Sequence, residues 1–427
     1  MESDSDIELV TVITCTTLAL QLQRRKRKQR KNYHVNPYLQ LRSTKGRFFK
    51  DFDDMRSTPH IFQENYHMSP QDFDQLLNII QHRLEPKVST RPHDAISPQE
   101  KLSVPLEFLA SGSLQRHVAS TYRISKQRLG PIIEQTSRAI FEELKASFMK
   151  PPTKQEWVEI SNEYNGLWNF PNTIGAIDGK HVAIKCPISA GSVFYNYKGY
   201  HSIVLMGLAA ADYRFLFIDV GGYGSESDSQ VFRSCDLGRA LYGELLDLPD
   251  DSPVFGKNMP YFFVADDAFP LVRRIMKPYC PSRKGARLTD EQRIFNYRLS
   301  RARRCIENSF GILCARWACL ARTLFMKPER AQVVVAACCM LHNFLLKKCT
   351  DIYSPPGFAD YVDSDGLLVE GSWRMRVPDN SMFNTNITQQ IQNPNISVGN
   401  EIRNHLSAFV NSIQGSLDWQ RASVFLE

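Results

Sequence analysis

Three carboxylates in this 427-residue sequence stand where chemistry could be done: Asp178, Asp266 and Glu307. Asp178 closes the apolar run "NTIGAID", and Asp266 closes "YFFVAD". A carboxylate at the end of an apolar run is costly unless something cationic meets it. In an open sheet, residues just beyond neighbouring strand ends converge in one crevice. Glu307 lies at the edge of a helical stripe formed by Ile306, Phe310, Leu313 and Trp317, and Arg303 and Arg304 share its face. Three carboxylates with no His or Cys beside them are hard oxygen donors, suited to Mg²⁺ or Mn²⁺ rather than zinc. Two such ions about 4 Å apart activate a water and stabilise the leaving oxygen of a phosphodiester. The arginines would hold the negative backbone. The same spacing also fits three unrelated surface or capping acids.

Other residues offer weaker chemistry. Lys198 in "YNYKGYHS" sits on a loop rich in aromatics and positive charge, which suits nucleic acid and equally an ordinary turn. Asp228 in "SESDSQVF" reads as the cap of a following helix ahead of a ligand, with a fourth acid near the metals as the alternative. Asp267, next to Asp266, points the opposite way if the strand persists. His181 is a phosphate contact or a plain strand residue. Cys338 and His342 lie one helical turn apart, but the flanking "VVVAA" favours core packing over a zinc site.

The elements that must position these residues follow from periodicity. Residues 1–45 form a basic N-terminal arm containing "RRKRKQRK" (24–31), a phosphate-binding run, a nuclear address or a solvated tail. The apolar stretch 9–22 is short for a membrane span and reads as a helix packed on the body, with an anchor as the alternative. Residues 46–150 are helical. Ser69-Pro70 starts a helix that places Phe73, Leu76, Leu77 and Ile80 on one face, and Gly112 stops the next helix. "LQRHVASTYRISKQRLGPIIEQ" reads as helix, turn, helix. Val118, Tyr122 and Ile124 pack inward, and Ser125, Lys126, Gln127 and Arg128 face a DNA major groove, with a plain packing unit as the alternative. Gly130-Pro131 is expected to interrupt the second helix.

From 151 to 350, four apolar runs of strand length (173–184, 201–212, 214–221 and 261–269) suit central strands covered on both faces. One crossover helix is expected between the third and fourth, and two long helices after them. A mixed α/β sheet domain results, followed by a polar tail (351–427) with one late amphipathic helix. The chain is 43% hydrophobic with a net charge of +7, enough apolar content for a sizeable core and an excess of positive charge for an acidic partner. Ten cysteines without CxxC pairs indicate a reducing setting rather than a disulfide framework.

The segments "NFPNTIGAIDGKHVAIKCP", "FYNYKGYHSIVLMGLAAAD", "GSESDSQVF", "FVADDAFPL", "FNYRLSRARRCIENSFGILCARW" and "LHNFL" together resemble the PIF/Harbinger transposases, most closely the nucleases derived from them. The likeness runs in order from about residue 30 to about residue 350. It implies an RNase H-like fold for the mixed sheet flanked by helices, which the residue patterns place after an all-helical N-terminal domain with a helix-turn-helix-like segment. It places the family's Asp-Asp-Glu triad on Asp178, Asp266 and Glu307. Ala265 departs from the glycine common before the second Asp.

The leading expectation is a Mg²⁺- or Mn²⁺-dependent DNA endonuclease or transposase. Asp178, Asp266 and Glu307 would be its catalytic and metal-binding residues, and Lys198, Arg303, Arg304, Lys126 and Arg128 its DNA contacts. The alternatives are a domesticated, non-catalytic DNA or chromatin adaptor and a nuclease acting on RNA or hybrids. Expected partners are DNA, a separate Myb-like DNA-binding protein and a second copy of the chain, with no membrane. The expected location is the nucleus, with the cytoplasm also open.

Overall fold

The computed structural model describes residue 17 and residues 35–85, 95–281, 287–363, 366–377 and 396–425. The basic run 24–31 lies outside these residues, as does the apolar stretch 9–22 apart from Thr17. The first described region is helical: α1 (Arg47–Ser57), α2 (Pro59–Tyr66), α3 (Pro70–Leu84), α4 (Pro98–Ser111), α5 (Gln115–Thr121), α6 (Lys126–Phe148) and α7 (Lys154–Trp168). Local chemistry sets their ends. The Asp72 N–H donates to Ser69 Oγ at 3.1 Å, while the Asp72 carboxylate accepts from the Ser69 N–H, closing a capping box ahead of α3. Gly112 ends α4 at φ 59°, a left-handed conformation that glycine takes without strain. Phe73, Leu76 and Ile80 are fully buried against Phe52, Phe62 and Tyr66, as the helical face predicts.

The expected break at Gly130-Pro131 is absent, and α6 runs through it without interruption. Pro131 falls near the helix start, and the backbone bond it forfeits is to Gln127, an exposed residue of the first turn. Gly130 has a packing role. A Cβ there would lie 2.8 Å from Arg330 Nη1, and Arg330 pairs with Glu134 at 2.9 Å.

The sheet follows: β1 (Thr173–Ala183), β2 (Ser202–Ala209), β3 (Phe215–Tyr223), helices α8 (Asp228–Ser234) and α9 (Asp236–Tyr242), a separate hairpin of β4 (Ser252–Val254) and β5 (Lys257–Met259), then β6 (Phe262–Val264) and β7 (Ile275–Met276). Two long helices, α10 (Asp290–Arg316) and α11 (Pro328–Lys348), complete the body. Five strands pair in the order β3-β2-β1-β6-β7. The first three are antiparallel, and β6 and β7 are parallel to β1 and to each other. This is a mixed sheet flanked by helices.

Two expectations need correction. β3 is an edge strand, half-buried along most of its length, because no strand covers its outer side. The single crossover helix is two short ones, broken at Cys235, whose Sγ accepts from the Gly238 N–H. His342 is a core residue, bonded through Nε2 to Tyr213 O and through Nδ1 to Tyr353 Oη. No zinc site forms with Cys338 among the described residues.

The described parts of the C-terminal region pack on α10. Asn308 Nδ2 donates to Asp360 O, and Trp373 Nε1 donates to Asn308 Oδ1, each at 3.0 Å. Trp373 lies where a Cβ on Gly311 would be, 2.5 Å from its ring. Helices α12 (Ile396–Asn411) and α13 (Gln420–Phe425) close the same side. Buried Arg298 donates to Gly415 O, Gln420 Oε1 and Asn169 O. Replacing Arg298 with Leu strands two buried acceptors and one half-buried one. Denaturant unfolding is expected to show a loss of about 3 kcal/mol for this variant.

Candidate metal centre

The site begins with a short strand. β6 pairs with β1 only from Thr173 to Ala176, so the flank of β1 beyond Ala176 is free of β6. Asp178 lies just past that point, in the middle of β1 rather than at its end, because pairing with β2 carries β1 on to Ala183. Asp266 follows the last residue of β6 by two. The partner of Asp178 across the β1–β2 ladder is Gly207. A Cβ on Gly207 would lie 3.2 Å from Phe310 and 3.3 Å from Ile306, so its absence lets α10 settle onto the sheet beside Asp178.

Carboxylate oxygens of Asp178, Asp228 and Asp266 all lie within 4.8 Å of one another. Asp228 is therefore no cap. Ser227 precedes α8 and donates its N–H to Gln230 Oε1 at 2.9 Å, which leaves Asp228 to turn into the cluster. The signal was present in the sequence: in "SDSQ", Ser227 and Gln230 have capping-box spacing, so the serine takes the capping position. Gly179 accommodates the newcomer, since a Cβ there would lie 2.1 Å from Asp228 Oδ1. Backbone N–H groups help hold the other two carboxylates: Gly179 donates to Asp178 Oδ1 at 2.8 Å, and Ala268 donates to Asp266 Oδ1 at 3.0 Å.

Glu307 is not in this cluster. Its side chain is 36% exposed at the rim, and Arg303 stands between it and the aspartates. Arg303 Nη2 lies 3.9 Å from Asp178 Oδ2 and 3.9 Å from Glu307 Oε1. Lys198, on the loop between β1 and β2, is close enough for Asp178 and Asp228 to support its charge, while burial and Lys180 lower its pKa. Arg304 is turned elsewhere on α10, where its charge acts on Tyr213. Lys126 and Arg128 are exposed in the first turn of α6. With Arg116 and Arg123 they line a cleft of about 870 Å³ that holds no acidic residue among the described residues. His181 is buried in β1, with Nδ1 2.9 Å from Ser202 Oγ.

Crowded like charges dominate the electrostatics. Burial, then Asp266, pushes Asp178 up to about 7, against the pull of Arg303. Burial, then Asp178 and Asp266, raises Asp228 well above the carboxylate range. Burial works against the Arg303 charge, but Asp178, Glu307, Asp266 and Asp267 outweigh it and raise its pKa. The donor set fits a hard divalent cation: three oxygen ligands, no nitrogen or sulfur, and spacings near twice a metal–oxygen distance of about 2.0 to 2.6 Å.

With the fold and the acids in place, comparison with known proteins agrees. Residues 177–343 match the model of the DDE superfamily endonuclease family. It is similar to the proteins named "Putative nuclease HARBI1" of Bos taurus and Homo sapiens, each 26% identical over 62% of this chain and 72% of the relative. It is also similar to "Protein ALP1-like" of Arabidopsis thaliana, 24% identical over 67% of this chain and 71% of the relative. No solved structure matches. No helix among the described residues is long and apolar enough to cross a membrane.

The raised pKa of Asp178 has a definite sign. Folding favours its protonated form, so its stabilising contribution is full below about pH 4 and is lost as pH rises toward about 7. Thermal melts in EDTA should show this loss between those limits. Added Mn²⁺ should raise Tm more at pH 8 than at pH 5, and Asp178→Asn should flatten both trends. Gly179→Ala would drive a methyl into Asp228, and calorimetric titration is expected to show Mn²⁺ binding at least about tenfold weaker.

Proposed function

We propose that the protein is a divalent-cation-dependent nuclease that hydrolyses DNA phosphodiester bonds. The observation that carries the reading is the meeting of Asp178, Asp228 and Asp266 within 4.8 Å in the stretch that matches the DDE superfamily endonuclease family. The names of its relatives, which include the word nuclease, support it. The strand order, three antiparallel strands followed by two parallel ones, supports an RNase H-like architecture for this domain. Asp178 and Asp266 would hold Mg²⁺ or Mn²⁺, Asp228 would be a further ligand, and Glu307 would complete the set from the rim. When bound, such ions supply Lewis acidity to the scissile phosphate and its attacking water.

The chain's own residues do the rest. Arg303 and Lys198 flank the acids and would take phosphate oxygens, bringing the strand to the cluster. Burial of the aspartates lowers the local dielectric, which strengthens each of these contacts. Water adds across one P–O bond, leaving a 3′-hydroxyl on one side and a phosphate on the other. In a transposase, that hydroxyl would then attack target DNA.

Remote contact would come from α5 and α6, a helix-turn-helix-like pair whose turn passes through Arg123 at φ 53°. Lys126 and Arg128 in the cleft would grip the duplex backbone, with Arg304 as a further contact. A separate Myb-like protein and a second copy of this chain are proposed partners. The basic run 24–31 supports nuclear residence.

A plasmid-nicking assay with Mg²⁺ and Mn²⁺ tests the activity. Wild type is expected to nick, and Asp178→Asn to lose Mn²⁺-dependent nicking altogether. Equal nicking by wild type and variant would count against the assignment. Lys126→Ala with Arg128→Ala should weaken duplex binding and reduce the slope of log K against log salt by about 2, measured by fluorescence anisotropy.

A further inference from the structure

We propose that Arg303 is a built-in cation that keeps the second ion seat, between Asp178 and Glu307, filled until a nucleic-acid phosphate draws it away. This rests on the nuclease reading and adds an order of events to it. One nitrogen, Nη2, stands equally far from Asp178 Oδ2 and Glu307 Oε1, at 3.9 Å from each. That distance exceeds a hydrogen bond, so charge alone holds the guanidinium between the two carboxylates. The Nε of Arg303 is buried and has no hydrogen-bond partner. Nothing seen at these atoms latches the group where it lies, although its side chain is only 16% exposed.

A second divalent cation bridging Asp178 and Glu307 would need the space and the charge that Nη2 now supplies. The two cations exclude each other by repulsion at this range. A phosphate offers the guanidinium two oxygens in a matching fork, a stronger partner than two carboxylates beyond bonding range. The site therefore takes its first ion at Asp178, Asp228 and Asp266 without substrate. It takes its second, at Asp178 and Glu307, only with DNA present. Arg303 acts here as a positioning residue: it holds Glu307 out of the cluster and couples ion loading to the backbone.

Isothermal titration with Mn²⁺ tests this on the full chain, alone and with a short duplex carrying phosphorothioate linkages that retain negative charge and slow hydrolysis. Wild type is expected to bind one Mn²⁺ per chain alone and two with the duplex. Arg303→Gln is expected to bind two in both cases, and Arg303→Lys to keep the wild-type pattern. Two ions on duplex-free wild type, or one on Arg303→Gln, would overturn the proposal while leaving the nuclease reading intact. Absence of Mn²⁺ binding by folded wild type under every condition, with folding checked by circular dichroism, would overturn both.

Discussion

Repulsion among three carboxylates on one flank of a strand governs this molecule. At 4.8 Å and an effective dielectric near 20, each ionised pair costs roughly 3.5 kcal/mol. Burial adds to that cost, so Asp178 and Asp228 hold protons far above the usual carboxylate range. Cations approach from two directions, Arg303 from α10 and Lys198 from the β1–β2 loop. The backbone is shaped to the same end. β6 stops after three residues, and glycines at 179 and 207 vacate the space that Asp228 and α10 require. A fold under no such demand would gain by extending β6 and filling those positions with packed side chains. Its failure to do so accords with the metal-binding role proposed for the acids.

Such a cluster is useful only if its surroundings are stiff, and α10 shows how stiffness is obtained. Arg303 and Glu307 occupy consecutive turns of one helix. The turn before them is fastened through Arg298 to Asn169, Gly415 and Gln420. The turn after them is fastened through Asn308 to Asp360 and Trp373. Asp360 is itself held by the Gly371 N–H and by its ion pair with Arg374. Chain segments more than fifty residues downstream thus fix the height and rotation of the helix that carries the rim of the site. Under the proposed order of events the side chains of Arg303 and Glu307 would exchange partners while the backbone beneath them stays in place.

Much of this was legible in the sequence, for identifiable reasons. The long helices announced themselves through period and caps: Ser69-Pro70, Gly112 and the Ile306–Trp317 stripe all fall where periodicity places them. Asp178 and Asp266 were legible because each closes an apolar run, and the structure brings those two together. Glu307 was expected among the clustered acids, and the structure leaves it at the rim, because helical phase gives a face and not a side-chain reach. Asp228 was misread because one residue in a helix's first turn can be cap or ligand, and Ser227 decided the matter. The half-buried state of β3 was hidden for a different reason. An apolar run shows that a strand is hydrophobic, and only strand order shows that it lies at an edge. Gly130-Pro131 was overvalued as a breaker, since a proline near a helix start forfeits a bond in a turn that water reaches.

The connection between the helical region and the sheet sharpens the functional argument. Helix α6 is joined to α11 by the Arg330–Glu134 pair and by the close approach at Gly130. At its far end, Asn343 Nδ2 donates both to Phe148 O and to Phe215 O, tying the end of α6 to β3 through one amide. The first turn of α6 carries Lys126 and Arg128, and β3 leads through β2 to Asp178. Under the proposed function, a duplex gripped at the cleft would thus be offered to the acids at an offset set by packed helices, not by a slack linker. The interval between the gripped base pairs and the broken bond would then be a property of the fold itself. Flexibility would be confined to the side chains that meet the phosphates, the one place where the nuclease reading requires movement.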